Sequence, residues 1–188
     1  LDSLYERPFT SIEMVYQPDL DIYSVDFAHD EEFFYFTITL IGLHPDEGRL
    51  TGMYGIEFDR TLTGRGDLIV LVENPLEEWS TDNLSVYIDE NDDVGGTRPM
   101  VAETGFTGNG YETMVDLEGD RAAMARIDPD DNEAIQIAVS RALLELEEPE
   151  VFLYGGWAKK GHIDVSQFDY NDTMGPSEAG SPIKTDED

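Results

Sequence analysis

The dominant repeat along this chain is two. In residues 21–27, Tyr23, Val25 and Phe27 fall on one face while Ser24 and Asp26 fall on the other. In residues 33–40, Phe34, Phe36, Ile38 and Leu40 alternate with Tyr35, Thr37 and Thr39. Residues 54–59 set Tyr54, Ile56 and Phe58 against Gly55, Glu57 and Asp59, and residues 84–88 alternate again. Residues 68–72, Leu-Ile-Val-Leu-Val, are apolar throughout, as in a strand covered on both faces. Each run is rich in β-branched or aromatic residues and is bounded by turn residues, so each predicts a strand. Further strands are expected at 111–117 and 151–158, with a weaker one from Ala122 to Ile127. Residues 133–147 fit two periods. Ile135, Ile137 and Val139 suit a strand and Ile135, Ala138, Ala142 and Leu146 a helix face, and the reading adopted is a strand giving way to a short helical turn near Leu143.

Many short strands in series without regular helices predict an all-β fold, a single antiparallel β-sandwich of jelly-roll-like type with one short helical turn and extended termini. The expected division is an N-terminal arm or edge strand over 1–18, the sandwich over 19–168, and a polar tail over 169–188, where Gly, Pro and Ser accumulate.

Composition narrows what such a body does. Forty-two acids stand against eleven bases in 188 residues, a formal charge of -31. Self-repulsion on that scale opposes folding unless cations or salt offset it. It also speaks against nucleic acid as a partner, since no Lys/Arg cluster can neutralise a row of phosphates. No apolar run reaches the ~20 residues of a membrane-spanning helix. Cysteine is absent, which excludes disulfides, thiolate metal sites and Cys nucleophiles. The chain starts at Leu1 rather than Met, so either the sequence is trimmed or a leader has been removed; the second alternative underlies the expectation of an extracellular or cell-surface location.

The chemistry concentrates in residues 87–96, Tyr-Ile-Asp-Glu-Asn-Asp-Asp-Val-Gly-Gly. Asp89, Asn91 and Asp93 alternate, and Gly95 and Gly96 allow backbone carbonyls to turn inward. Calcium takes six to eight oxygens from such a loop. An EF-hand is rejected, because Val94 holds the place of the turn glycine and no closing Glu follows. A shorter calcium loop and a solvated turn, whose Asp and Asn side chains bond nearby N–H groups, both remain open. The 58–67 connection offers Asp59 and Asp67 as a second cation site, but Arg60 and Arg65 can neutralise them locally, and glycine-containing hairpin turns explain it as well. Trp79, in a loop, is a candidate glycan contact, whereas Trp157 is expected in the core with its N–H satisfied. His29, His44 and His162 show no metal-ligand spacing, and no G-x-S-x-G elbow or phosphate loop exists. So many acids leave a two-carboxylate glycoside hydrolase as a third alternative without a motif to support it.

Taken in order, the stretches at 18–27, 33–42, 54–59, 64–75, 79–96, 110–120, 125–129 and 168–182 resemble a group of uncharacterised secreted proteins of Chloroflexota-like bacteria. That group is similar at a distance to DOMON and family-9 carbohydrate-binding modules, which are β-sandwiches. The resemblance implies a cation at the 89–96 loop. It implies less at 59–63, where members carry more acidic donors than Asp59, Arg60, Thr61, Leu62 and Thr63 supply. The haem and sugar ligands of the wider group find no matching residues here. The expectation is therefore a secreted, non-enzymatic, calcium-stabilised structural or adhesive subunit that associates with itself. A carbohydrate-binding module acting on an extracellular glycan is the alternative.

Overall fold

The structure is a computed structural model, and it describes residues 16–63, 66–91, 94, 110–146, 150–162 and 165. Two antiparallel sheets face each other. One has four strands in the order β1 (Ile22–His29), β2 (Phe33–Leu40), β8 (Asp131–Ser140) and β7 (Ala123–Asp128). The other has five, in the order β6 (Thr113–Met114), β5 (Leu84–Ile88), β4 (Leu68–Glu73), β3 (Gly52–Asp59) and β9 (Leu153–Lys160). The all-β sandwich expected from the period-two pattern is the architecture observed, and it is not a closed barrel.

The core forms where the alternation said it would. Phe34, Phe36, Ile38 and Leu40 of β2 are buried, and their neighbours along the strand are only partly so. They meet Tyr54, Ile56 and Phe58 of β3, Leu68, Val70 and Val72 of β4, and Ile135, Ile137 and Val139 of β8. The Phe36 and Phe58 rings meet edge-on at 5.2 Å, a geometry that the ring quadrupoles favour. The ambiguous 133–147 stretch resolves as expected. β8 runs to Ser140, whose hydroxyl accepts from the Leu143 N–H at 3.2 Å and caps a one-turn helix, α1 (Arg141–Leu144). The same hydroxyl accepts from the Ala122 N–H at 2.9 Å, so one side chain ends two elements.

Two local expectations are corrected. Tyr23 does not share a face with Val25 and Phe27. A bulge lies between Ile22 and Ser24 in the pairing with β2, and Tyr23 turns outward, 74% exposed, while Ile22 takes the inward position. The strand expected at 111–117 shrinks to Thr113–Met114, because Tyr111 leaves the ladder to cover the far side of the sheet. Glu57 and Asp59 lie on the other face of β3 from the core, Glu57 half-buried and Asp59 buried. The outer surface of β3 and β4 carries a second apolar cluster of Met53, Ile69, Leu71, Val94 and Tyr111, which also explains why residues 68–72 are apolar on both faces.

A single 3₁₀ turn, Pro18–Leu20, leads into β1. Fully buried Asp19 anchors it, with Oδ2 accepting from the Thr51 N–H at 3.1 Å and the Thr51 hydroxyl at 2.8 Å. The Tyr54 hydroxyl donates to the Asp19 carbonyl at 3.0 Å, and burial pushes that phenol up to about 12. The expected arm before residue 16 and tail after 168 lie outside the described residues.

Candidate functional site

Four acids collect on the outer face of the five-stranded sheet. Cα pairing sets Phe58 opposite Leu68 and Leu68 opposite Ile88. The ladder continues one residue further: the Asp67 N–H donates to the Phe58 carbonyl at 2.8 Å, and the Asp89 N–H donates to the Asp67 carbonyl at 3.1 Å. Asp59, Asp67 and Asp89 thus line up across the ends of β3, β4 and β5, each no more than 6% exposed. Glu57, two residues before Asp59, lies on the same face. Residues that the sequence placed in two separate candidate loops meet at one end of one sheet.

Each aspartate is turned onto its own loop. The Asp59 Oδ1 accepts from the Thr63 N–H at 3.1 Å and the Thr61 hydroxyl at 3.3 Å. Asp67 accepts from the Arg60 N–H at 2.6 Å and forms an ion pair with the Arg60 guanidinium, the local neutralisation foreseen for this loop. Asp89 accepts from the Asn91 N–H at 3.1 Å and, through its other oxygen, from the Val94 N–H at 2.9 Å. Those last two bonds are the turn-ordering role. Asn91 is exposed. Asp93 and Gly95, the rest of the expected calcium loop, lie outside the described residues, as does Arg65. Among the described residues no three His, Asp or Glu side chains are grouped so as to hold a metal ion.

At the centre of this face sits Glu57. Its Oε1 accepts from the Tyr111 hydroxyl at 2.7 Å and its Oε2 from the Trp157 indole N–H at 2.8 Å. Burial raises the carboxyl above its ordinary value. The two hydrogen bonds pull the other way, and the charges of Asp59 and Asp67 add to the rise. Burial likewise pushes the Tyr111 phenol far up, with the Glu57 charge as the next cause. Trp157 is thus not the core residue expected. Its N–H is satisfied, but its ring is 38% exposed on β9, because the odd positions of that strand point outward. Period-two reading through Gly155 and Gly156, which lack side chains, could not show which face was covered.

Gly66 explains itself here by space rather than by turn geometry. A Cβ at this position would enter contact distance of both Glu57 Oε1 and the Tyr111 hydroxyl, and its φ is not in the left-handed region. The backbone of the 58–67 connection therefore packs directly against the Glu57–Tyr111 bond.

A second feature was not foreseen. Where β1 ends and β9 begins, a cleft of about 330 Å³ opens between the sheets, lined by Phe27, Phe34, Phe152 and Tyr154 with Arg141 at the rim. The Arg141 guanidinium lies over the Phe34 ring at 4.3 Å, ion-pairs with Glu150, and donates to the Asp30 carbonyl at 2.8 Å and to His29 Nδ1 at 3.2 Å. Phe27 and Tyr154 are 41% and 40% exposed at its mouth. The signal was present as aromatics at the ends of two strands far apart in sequence, but only their meeting makes a cleft. Trp79, the expected glycan contact, is partly buried, with the Arg126 guanidinium over its ring at 4.5 Å and Tyr35 beside it.

Comparison with protein families, with curated proteins and with solved structures returns no match to this chain.

Two outcomes are expected from the Glu57 cluster. Gly66→Ala forces apart the half-buried Tyr111–Glu57 hydrogen bond and should cost about 1–3 kcal/mol of stability, read as a lower urea midpoint at unchanged slope. Glu57→Gln should change the pH dependence of stability in a defined sense. Below the ordinary carboxyl value of 4.5 both folded and unfolded chains hold the proton. As pH rises past it, the unfolded chain releases the proton first, so the native protein loses stability until the folded carboxyl also ionises. The glutamine lacks that loss. Urea unfolding in a pH series should therefore show the gap between the two proteins shifting in favour of glutamine above pH 4.5, then levelling. A constant gap would show that Glu57 is not held protonated by its surroundings.

Proposed function

We propose that this chain is a secreted or cell-surface structural subunit, non-catalytic, that associates with further copies and is steadied by calcium. The observation that carries the reading is the side of the sandwich where β1 and β9 run as neighbouring edges. Tyr23, Phe27, Val151, Leu153 and Tyr154 are between 40% and 74% exposed there. Apolar side chains gathered along strand edges are a template for pairing with another chain. The calcium part rests on the oxygen-rich loops that leave neighbouring strand ends at Asp59, Asp67 and Asp89. Oxygen-rich loops of that kind suit a hard cation. It also answers the charge of -31, since a bound divalent ion offsets repulsion that sodium only screens.

Sedimentation over a concentration series, with calcium at low and at about 1 M sodium chloride, tests both parts. Association that grows with protein concentration is expected, together with a calcium-induced rise in melting temperature that persists in the high-salt arm. A chain that stays monomeric throughout, and gains no more from calcium than from sodium of equal ionic strength, refutes the reading.

The second reading is a carbohydrate-binding module, favoured by the aromatic cleft. Rings at a cleft mouth can stack on a sugar face. Phe27 and Tyr154 suit that role better than Trp79, whose ring Arg126 overlies. On this reading Tyr154→Ala abolishes binding on a glycan panel and Trp79→Ala leaves it; no glycan bound by the native chain removes the reading.

A further inference from the structure

Four strand edges border the two sheets, and the fold treats them differently. The outer edge of β7 is covered: Ser80 exchanges backbone hydrogen bonds with Ala125 at 3.1 and 2.9 Å, and the Ile127 N–H donates to the Leu76 carbonyl at 2.7 Å. β6 is two residues long. β1 is interrupted by its bulge near Tyr23. Short edges, covered edges and bulges are the usual devices that stop a sheet from growing. Among the described residues β9 shows none of them. It runs eight residues, Leu153–Lys160, contains no proline, and pairs among the described residues with β3 alone. Leu153 is 54% exposed.

Charge on this segment stands only at its ends. Glu150 precedes the strand, and Lys159 and Lys160 close it, two of the three lysines in the chain. Parallel pairing of two such strands sets lysine against lysine and Glu150 against Glu150. Antiparallel pairing sets each end against its opposite.

We propose that β9 pairs with β9 of a second copy, antiparallel across a two-fold axis, joining two five-stranded sheets into one. The register is the one in which residue numbers of opposed pairs sum to 310. It places Lys160 opposite Glu150, Trp157 opposite Leu153 and Gly155 opposite its own counterpart, while Arg141 holds the Glu150 carboxylate at the rim. Leu153 and Trp157 point to the same outer face, so their opposition buries the exposed apolar area of both. Gly155 sits on the axis, where an added Cβ would meet nothing within 4 Å, so the strand approaches its partner without crowding. This rests on the assembly reading above and specifies its contact.

The chain contains no cysteine, so Gly155→Cys introduces a single thiol on the axis. Directly opposed residues of an antiparallel pair have Cβ atoms within about 5 Å, close to disulfide reach. Asp82→Cys, an exposed thiol on the opposite side of the sheet, serves as the collision control. In about 1 M salt, where the screening length is near 3 Å and repulsion between copies is damped, Gly155→Cys should become a disulfide dimer under mild oxidation at least tenfold faster than the control. Leu153→Lys and Lys160→Glu should each raise the dimer dissociation constant about fivefold or more without lowering the melting temperature. A native chain that self-associates while Gly155→Cys cross-links no faster than the control overturns the β9 contact and leaves the assembly reading intact. A native chain that stays monomeric overturns both.

Discussion

The apolar interlock between β2 and β3 is the contact on which the rest of the molecule depends. Phe36, Ile38, Tyr54, Ile56 and Phe58 are wholly removed from water, and each large side chain so buried contributes about 1.5–3 kcal/mol. Against them stands a surface with a formal charge of -31. Exposed charges farther apart than about 8 Å are largely screened at physiological salt, so the short-range apolar term prevails there and its margin narrows as salt is withdrawn. The bases are too few to cancel the surface generally. They are placed instead where a local contact repays a carboxylate: Arg60 on Asp67, Arg141 on Glu150, Arg121 on Glu145.

Covering the outer face of β3 and β4 creates a second demand. Once Met53, Ile69, Leu71, Val94 and Tyr111 enclose that face, Glu57 cannot be left to solvent. Both of its oxygens therefore meet donors carried by distant parts of the chain, Tyr111 and Trp157. A half-buried carboxylate gives up part of its hydration, and these two donors replace it, so they tie the segment bearing Tyr111 and the strand bearing Trp157 to β3. The Asp59, Asp67 and Asp89 loops hang from the same strand ends. Their geometry is thus coupled to the packing at Glu57.

Strand positions were legible because alternation is a local property. Residues 33–40 and 84–88 give β2 and β5 directly from their side-chain types, and the change of period near Leu143 marks where β8 gives way to α1. What escaped were consequences of pairing. The bulge at Tyr23 depends on how β1 meets β2, and no residue in 21–27 announces it. The covering of Glu57 depends on Tyr111, 54 residues away. The candidate acids Asp59, Asp67 and Asp89 were each recognisable as oxygen donors. Their convergence is a product of register across three strands, which composition does not carry. Gly66 was legible as a turn residue and turned out to be required by the Glu57–Tyr111 bond.

The acidity of the surface and the open edge of β9 belong to one balance. Guarding every edge by covering or shortening it removes strands from pairing, and the fold does this at β7 and β6. A uniform negative field guards edges more cheaply, since two copies repel before backbone groups can meet. That protection is weakest where the field is locally reversed, and Lys159 and Lys160 reverse it at one end of β9. Elsewhere on the molecule the same exposed apolar residues would face like charge on an approaching copy. On β9 they stand beside a lysine pair, and an antiparallel approach of two copies would keep those lysines apart where a parallel one would oppose them. General repulsion with a local exception would select a mode of contact, where general attraction would give aggregation.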